Sequence, residues 1–210
     1  MNKKSNKLLV IVGPTASGKT ALSIKLAKKL NGEIVSADSR QIYQGMDIGT
    51  AKPLDLEGIP HYLLDIKNPD QPYTVAEYKE DAIKIIKDMQ KRGKLPIMVG
   101  GTGLYIKSVV ENLDIPKIEA DPALRQKIEK DIEKHGLDYV FKQLIKLDQE
   151  AAYIVDPKNP RRIIRALEIT LLTKKPFSSQ RKSGNPLFDV LEIGICLSKT
   201  CLPAGRQKKL

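Results

Sequence analysis

The sequence has no tryptophan, and aromatic residues of all kinds make up 5% of its 210 residues. Proteins that bind single-stranded nucleic acid on a sheet need rings to stack against successive bases, so an architecture of that kind is a poor match. Cysteine is scarce too. Cys196 and Cys201 lie near the C-terminus with neither CxxC spacing nor an adjacent histidine pair, which argues against a zinc site and fits a reduced, cytoplasmic protein. The only histidines, His61 and His135, are far apart and lack the partners of a metal site or a catalytic triad. No apolar run approaches the roughly 18 residues that span a bilayer. The opening MNKKSNKLLVIVG resembles a signal peptide only superficially, because its apolar run leads into GPTASGKT and not into a small-residue cleavage site. Acidic residues are in deficit: 25 Asp and Glu face 36 Lys and Arg, a formal net charge of +11. Such a balance points to a polyanionic partner, nucleic acid or an acidic membrane face, unless the lysines merely solvate helices.

With 41% hydrophobic residues, the chain can bury a substantial core. Leu8–Val12, Glu33–Ser36 and Leu95–Val99 read as short strands buried on both faces, and Tyr62–Ile66 as a further one. Between them lie amphipathic helical patterns. Leu22, Leu26 and Leu30 recur every four residues before an Asn31-Gly32 stop. Thr74 and Glu77 form a capping box ahead of Tyr78, Ala82, Ile86 and Met89, which share one face, and Gly93 closes that helix. This alternation predicts an α/β fold, a parallel sheet flanked by helices over residues 1–116. From residue 117 to 175 the pattern is helical only. Asp121-Pro122 starts one helix and Gly136 stops it, Leu137–Leu147 forms a second, and Asn159-Pro160 starts a third. Residues 176–210 are expected to return to the core.

Gly13, Pro14, Thr15, Ala16, Ser17, Gly18, Lys19 and Thr20 fit G-x-x-x-x-G-K-[ST] in full, between a predicted strand and a predicted helix. Glycines let backbone amides approach phosphate oxygens, and the helix N-terminus adds positive potential. Lys19 brings a mobile charge, and the Thr20 hydroxyl suits Mg²⁺. The pattern specifies a diphosphate with its metal, not what is attached to it. Asp38 follows the second strand, on the edge of a parallel sheet where ligands bind. It can serve as a general base, as a metal holder or as a turn residue. Gly100-Gly101-Thr102-Gly103 follows the third clear strand, as a tight turn or as a second cradle with the Thr102 hydroxyl facing the cleft. Arg161, Arg162 and Arg165 can form one basic face while Ile163, Ile164 and Leu167 face inward. That face either grips phosphates or is solvated and paired with acids such as Glu168.

Taken in order, GPTASGKT, SADSRQIYQGMDIGTAKP, HYLLDI, LPIMVGGTGLY, DPALRQKIE and NPRRIIRALEI resemble the bacterial tRNA dimethylallyltransferases from about residue 8 to about residue 197. The resemblance implies a P-loop fold, dimethylallyl diphosphate as donor, and as acceptor the exocyclic amine of the adenine on the 3′ side of a tRNA anticodon. It implies that Gly13–Thr20 hold the diphosphate and Thr20 the Mg²⁺, and that Asp38 is the general base. It also implies that Asp38, Ser39, Arg40 and Gln41, the segment Arg161, Arg162, Ile163, Ile164 and Arg165, and the single positions Thr102 and Arg125 touch tRNA. Lys19, Asp38 and Thr102 would carry the catalysis, in a monomer. Family members continue well past this length. Here the match fails after GICLSK, LPAGRQKKL resembles no family segment, and a truncated or frame-disrupted product is expected. Competing readings are a P-loop kinase or ATPase, which needs a Walker B carboxylate where this chain has Gly100, a non-catalytic tRNA-binding remnant, and a prenyltransferase whose acceptor is a free adenine nucleotide.

Overall fold

Leu8, Leu9, Val10 and Ile11 are all at most 5% exposed, the burial of a strand covered on both faces. They form the centre of β1 (Lys7–Val12) in a computed structural model that describes residues 6–53, 55–116, 118, 120–180 and 183–196. Leu9 and Ile11 pack with Ile24 and Ala27 of α1 (Lys19–Leu30), whereas Leu8 and Val10 pack with the other helices on the opposite face. The remaining strands are β2 (Gly32–Ala37), β3 (His61–Tyr62), β4 (Leu95–Gly100) and β5 (Asp189–Gly194). All pair in parallel in the order β3-β2-β4-β1-β5. On the far face α2 (Val75–Lys91) buries Tyr78, Ala82, Ile86 and Met89, and α3 (Gly103–Val110) buries Tyr105, Ile106 and Val109. The capping box at the start of α2 is complete: Thr74 Oγ1 accepts from the Glu77 N–H, and Glu77 accepts from the Thr74 N–H.

The strand expected over Tyr62–Ile66 is cut short. Only His61 and Tyr62 pair with β2. Leu63 and Asp65 take φ values of 60° and 52°, which turns the backbone away from the sheet. The N–H groups of Asp65, Ile66 and Lys67 then bond to the carbonyls of Gln41 and Ile42. The segment therefore supports the loop after β2 and does not extend the sheet.

The described residues divide into two compact units, one within 6–112 and 184–196 and the other within 113–183. The second unit is helical: α4 (Pro122–His135), α5 (Leu137–Leu147), α6 (Ala151–Ile154) and α7 (Pro160–Thr173). Its own core contains Ile128, Val140, Leu144, Ala151, Ile163 and Leu167. Asp121 caps α4 through the N–H groups of Ala123 and Leu124, Gly136 ends it, and Asn159 caps α7 through the Arg162 N–H. The unit is wider than the 117–175 expected from helical patterning. Leu113 and Ser183 pair in an antiparallel bridge, and Ser178 donates twice to the buried Asp148. Both ends of the helical pattern are thus extended by contacts that carry no periodicity. Among the described residues no helix is long and apolar enough to cross a membrane.

Candidate active site

Strand register builds the site. Val12 of β1 and Ala37 of β2 both stand opposite Gly100 of β4. The three strands end level, so the next residues, Gly13, Asp38 and Gly101, leave the sheet side by side at its carboxyl edge. This is the edge at which open parallel sheets bind ligands. The absence of a side chain at Gly100 permits the arrangement: a Cβ there would lie 2.1 Å from the Ala37 carbonyl oxygen. The Thr102 N–H closes the junction by donating to that same carbonyl at 3.0 Å.

Residues 13–20 wrap from β1 into α1. Gly18, at φ 85°, occupies the N-cap, a left-handed position that costs glycine least. Lys19 folds over the loop, its Nζ donating to the carbonyls of Gly13 at 2.8 Å and Pro14 at 2.6 Å. Burial lowers the Lys19 pKa from its usual value, and the nearby Asp38 carboxylate opposes that shift. Ser17 Oγ is buried with no protein partner among the described residues, a feature that calls for an explanation at a binding site.

Asp38 and Thr102 each hold the loop that follows β2. Asp38 Oδ1 accepts from the Arg40 N–H at 2.9 Å, so the carboxylate also shapes its own turn. Thr102 Oγ1 accepts from the Ser39 N–H at 2.9 Å and lies 3.3 Å from Ser39 Oγ. Thr102 makes no side-chain cap to α3; its hydroxyl ties the two neighbouring loops together. Gln41 takes a hydrogen bond from Ser36 Oγ and donates to the carbonyls of Thr50 and Ala51. Gly13–Thr20, Asp38–Gln41 and Thr102 are therefore assembled on one edge.

One residue here escaped sequence reasoning. Lys52 has a side chain 7% exposed, and its Nζ reaches the Tyr43 carbonyl at 2.7 Å, Asp47 at 2.8 Å and Asp65 at 2.5 Å. An ammonium has three N–H donors, and each finds an acceptor. Burial works to lower the Lys52 pKa, but the bonds to Asp47 and Asp65 prevail and raise it. Lys52 thus pins the loop that begins with Asp38 against the segment after β3. Its only sequence signal was the lysine within GTAKP, in a stretch without helical or strand period.

In the helical unit, Arg161 and Arg162 are exposed and Ile164 is half-buried. Ile163 is wholly buried in that unit's core, so its side chain anchors the segment and offers RNA no surface. Arg165 does not lie on a free basic face. Its Nη1 donates to Glu168 at 2.5 Å and its Nη2 to the Ile118 carbonyl at 2.8 Å. Arg125, from α4, donates to the same carboxylate through Nε at 2.9 Å and Nη2 at 3.0 Å. The acid foreseen as a solvated partner is thus a buried one. Burial pushes the Glu168 carboxyl up, and its bonds to Arg125, Arg165 and the Asp121 N–H outweigh this and hold it below its usual range. His61 and His135 join no cluster: among the described residues no group of three His, Cys, Asp or Glu could hold a metal. Cys196 is a free, exposed thiol. Cys201 and the LPAGRQKKL tail lie outside the described residues.

The fold and this edge define an α/β protein with a glycine-rich loop of the P-loop pattern, flanked on the adjoining strands by a carboxylate and a hydroxyl. The chain belongs to the IPP transferase family, whose sequence model matches residues 41–204. It is 50% identical to a tRNA dimethylallyltransferase of Bacillus cytotoxicus over 95% of this chain and 65% of the relative. With that of Carboxydothermus hydrogenoformans it shares 47% identity over 94% and 65%. It thus spans about two thirds of the length of these relatives. Among solved structures it is similar to the full-length tRNA isopentenylpyrophosphate transferase of Bacillus halodurans, with 43% identity, a TM-score of 0.57, and coverage of 90% of this chain and 60% of that one. It is also similar to a eukaryotic dimethylallyltransferase acting on tRNA, with 33% identity, a TM-score of 0.71, and coverage of 91% and 48%.

Proposed function

We propose that the protein transfers a dimethylallyl group from dimethylallyl diphosphate to the exocyclic amine of an adenine beside the anticodon of tRNA, on its 3′ side, releasing diphosphate. The observation that carries this reading is the level ending of three adjacent strands, which sets the glycine-rich loop beside Asp38 and Thr102. A kinase or ATPase would need a carboxylate at the end of β4, where this chain has Gly100 and Gly101. Membership of the IPP transferase family supports the same chemistry.

In this reading the amides of Gly13–Thr20 and the Lys19 ammonium hold the diphosphate. The bond between the allylic carbon and the diphosphate oxygen breaks as a carbon–nitrogen bond forms, and Asp38 accepts the proton that the amine sheds. A diphosphate leaves readily once its charge is neutralised, so the demand on the site is mainly electrostatic. Thr102 holds the Asp38 loop in register and faces the incoming base. The residues suit a magnesium ion: Thr20 lies in the first turn of α1 beside the loop, and Ser17 Oγ is a buried oxygen without a partner among the described residues. Thr20, with the diphosphate oxygens, would hold Mg²⁺ when bound, and the ion would supply further charge neutralisation. The target adenine has to leave the anticodon-loop stack to reach this edge. Asp38–Gln41, Thr102, Arg125, Arg161, Arg162, Ile164 and Arg165 are the proposed tRNA contacts, with Ile163 buried beneath them. The protein acts as a cytoplasmic monomer.

The test is transfer of labelled prenyl group from dimethylallyl diphosphate to an anticodon stem-loop, run beside AMP and beside ATP hydrolysis. Transfer to the stem-loop alone is expected. Magnesium-dependent ATP hydrolysis indifferent to dimethylallyl diphosphate would overturn the reading, and RNA binding without transfer would make the protein a binding remnant.

A further inference from the structure

Glu168 is the most deeply buried charged side chain among the described residues, at 0% exposure. Its carboxylate lies at the N-terminus of α4, where the Asp121 N–H donates to it at 2.8 Å. It also takes two bonds from Arg125 of α4 and one from Arg165, one turn earlier on α7. The Arg125 and Arg165 side chains nevertheless stay 39% and 34% exposed. One buried anion thus fixes two arginine side chains on different helices, each still partly exposed. Glu168, Arg125 and Arg165 together carry one surplus positive charge, with Glu129 acting on Arg125, and Arg161 and Arg162 stand exposed in the first turn of the same α7.

We propose that Glu168 is a positioning residue for RNA: it holds Arg125 and Arg165 as a preset pair that takes the tRNA backbone. This rests on the prenyltransferase reading above, which makes RNA the ligand. A free arginine samples many rotamers and loses that freedom on binding. Arg125 is held through its Nε–Nη2 edge, and Arg165 through Nη1 to Glu168 and Nη2 to the Ile118 carbonyl; side chains already held in this way lose less on meeting a phosphate. Glu168 need not touch RNA, because it acts by where it puts the two arginines.

The test is binding of the full chain to an anticodon stem-loop, in which two models predict opposite signs. Glu168→Gln removes a negative charge from a basic surface, so bulk electrostatics alone would tighten binding. Positioning predicts binding about tenfold weaker, as expected when charge-assisted contacts lose their geometry. The same substitution made on top of Arg125→Ala and Arg165→Ala should then cause no further weakening, because no arginine is left to position. Unchanged or tighter binding by Glu168→Gln, or weakening that persists in the doubly substituted background, would overturn the proposal. Should Glu168→Gln not fold, Arg125→Lys asks the same question: it keeps the charge, loses the fork and should weaken binding severalfold, and unchanged binding overturns the proposal. Failure of the unsubstituted chain to bind the stem-loop would instead remove the prenyltransferase reading beneath it.

Discussion

Each unit buries a glutamate against arginine, yet the two networks are built differently. In the α/β unit, Glu33 is the second residue of β2, at the end of the sheet opposite the candidate site. Arg92 commits Nη1 and Nη2 to it, Nη2 also to Tyr62, and Nε to Asp88. Each of its nitrogens has a partner, so the pair closes the end of α2 onto the sheet. In the helical unit one glutamate holds two arginines, and Arg125 Nη1 has no partner among the described residues. The first arrangement uses four of the five N–H donors of Arg92, and the second uses two of the five of Arg125. A bidentate ion pair is thus not by itself a sign of a structural role or of a binding one. The donors left over decide, and only side-chain geometry counts them.

The contrast extends to how each unit arranges its candidate residues: the α/β unit through backbone and register, the helical unit through side chains on separate helices. The largest expected effect is at the first. Asp38→Ala should lower prenyl transfer by about 10² to 10⁴, the usual contribution of a positioned base, while diphosphate binding, measured by calorimetry, is retained. Full turnover in that variant would remove Asp38 from the chemistry. Next comes Gly100→Ala, whose added carbon would strike the Ala37 carbonyl. Overpacking of this kind costs about 1–3 kcal/mol or more, read from denaturant unfolding. Gly103→Ala, where an added Cβ meets nothing within 4 Å, is the control that should stay near the parent.

Lys52→Met should act more mildly. Asp47 and Asp65 are 64% and 48% exposed, so water can satisfy them once the ammonium is gone. The expected result is a loss of about 1–2 kcal/mol in unfolding free energy and severalfold slower transfer, with diphosphate affinity unchanged. A fall in diphosphate affinity would show that Lys52 supports the whole edge and not the Asp38 loop alone. The smallest effect should appear in acid. Glu33 is held below its ordinary value of 4.5 chiefly by its hydrogen bonds to Arg92, and Glu168 is lowered as well. A carboxyl with a depressed folded-state pKa contributes stability that is full above its unfolded value and is lost as pH falls through the folded one. Unfolding midpoints should therefore decline below about pH 4.5, and Glu33→Gln and Glu168→Gln should each flatten part of that decline. Parallel curves for parent and variants would show that neither carboxyl couples to folding.

The α/β unit was legible because its signals are local. GPTASGKT states its own conformation, the Thr74–Glu77 box marks a helix start, and runs such as Leu8–Ile11 admit one environment. Even the shared edge of Gly13, Asp38 and Gly100 follows from strands that end in step. What stayed hidden depends on contacts between distant residues. The truncation of the strand after Tyr62 is set by its pairing with Gln41 and Ile42. Lys52 reads as a surface lysine until Asp65 is found against it. Glu168 sits among Arg161, Arg162 and Arg165 in sequence and looks like a solvated counter-ion; its burial follows from α4 packing across α7. The outer limits of the helical unit, Leu113 and Ser183, show no pattern because one backbone bridge defines them.

That bridge has a consequence for the architecture of the chain. Just outside it, the Gly184 N–H bonds to the Asn112 carbonyl at 3.0 Å, and the Asn112 side chain to the Asn185 carbonyl. The path into the helical unit and the path out of it run side by side. All the residues between them form a closed excursion, after which the chain resumes where it left off and delivers β5 beside β1. The helical unit is thus a cassette: a short turn joining Asn112 to Gly184 would leave every strand pairing of the sheet possible. The sheet edge with its glycine-rich loop and the helices around Glu168 can be varied one without the other.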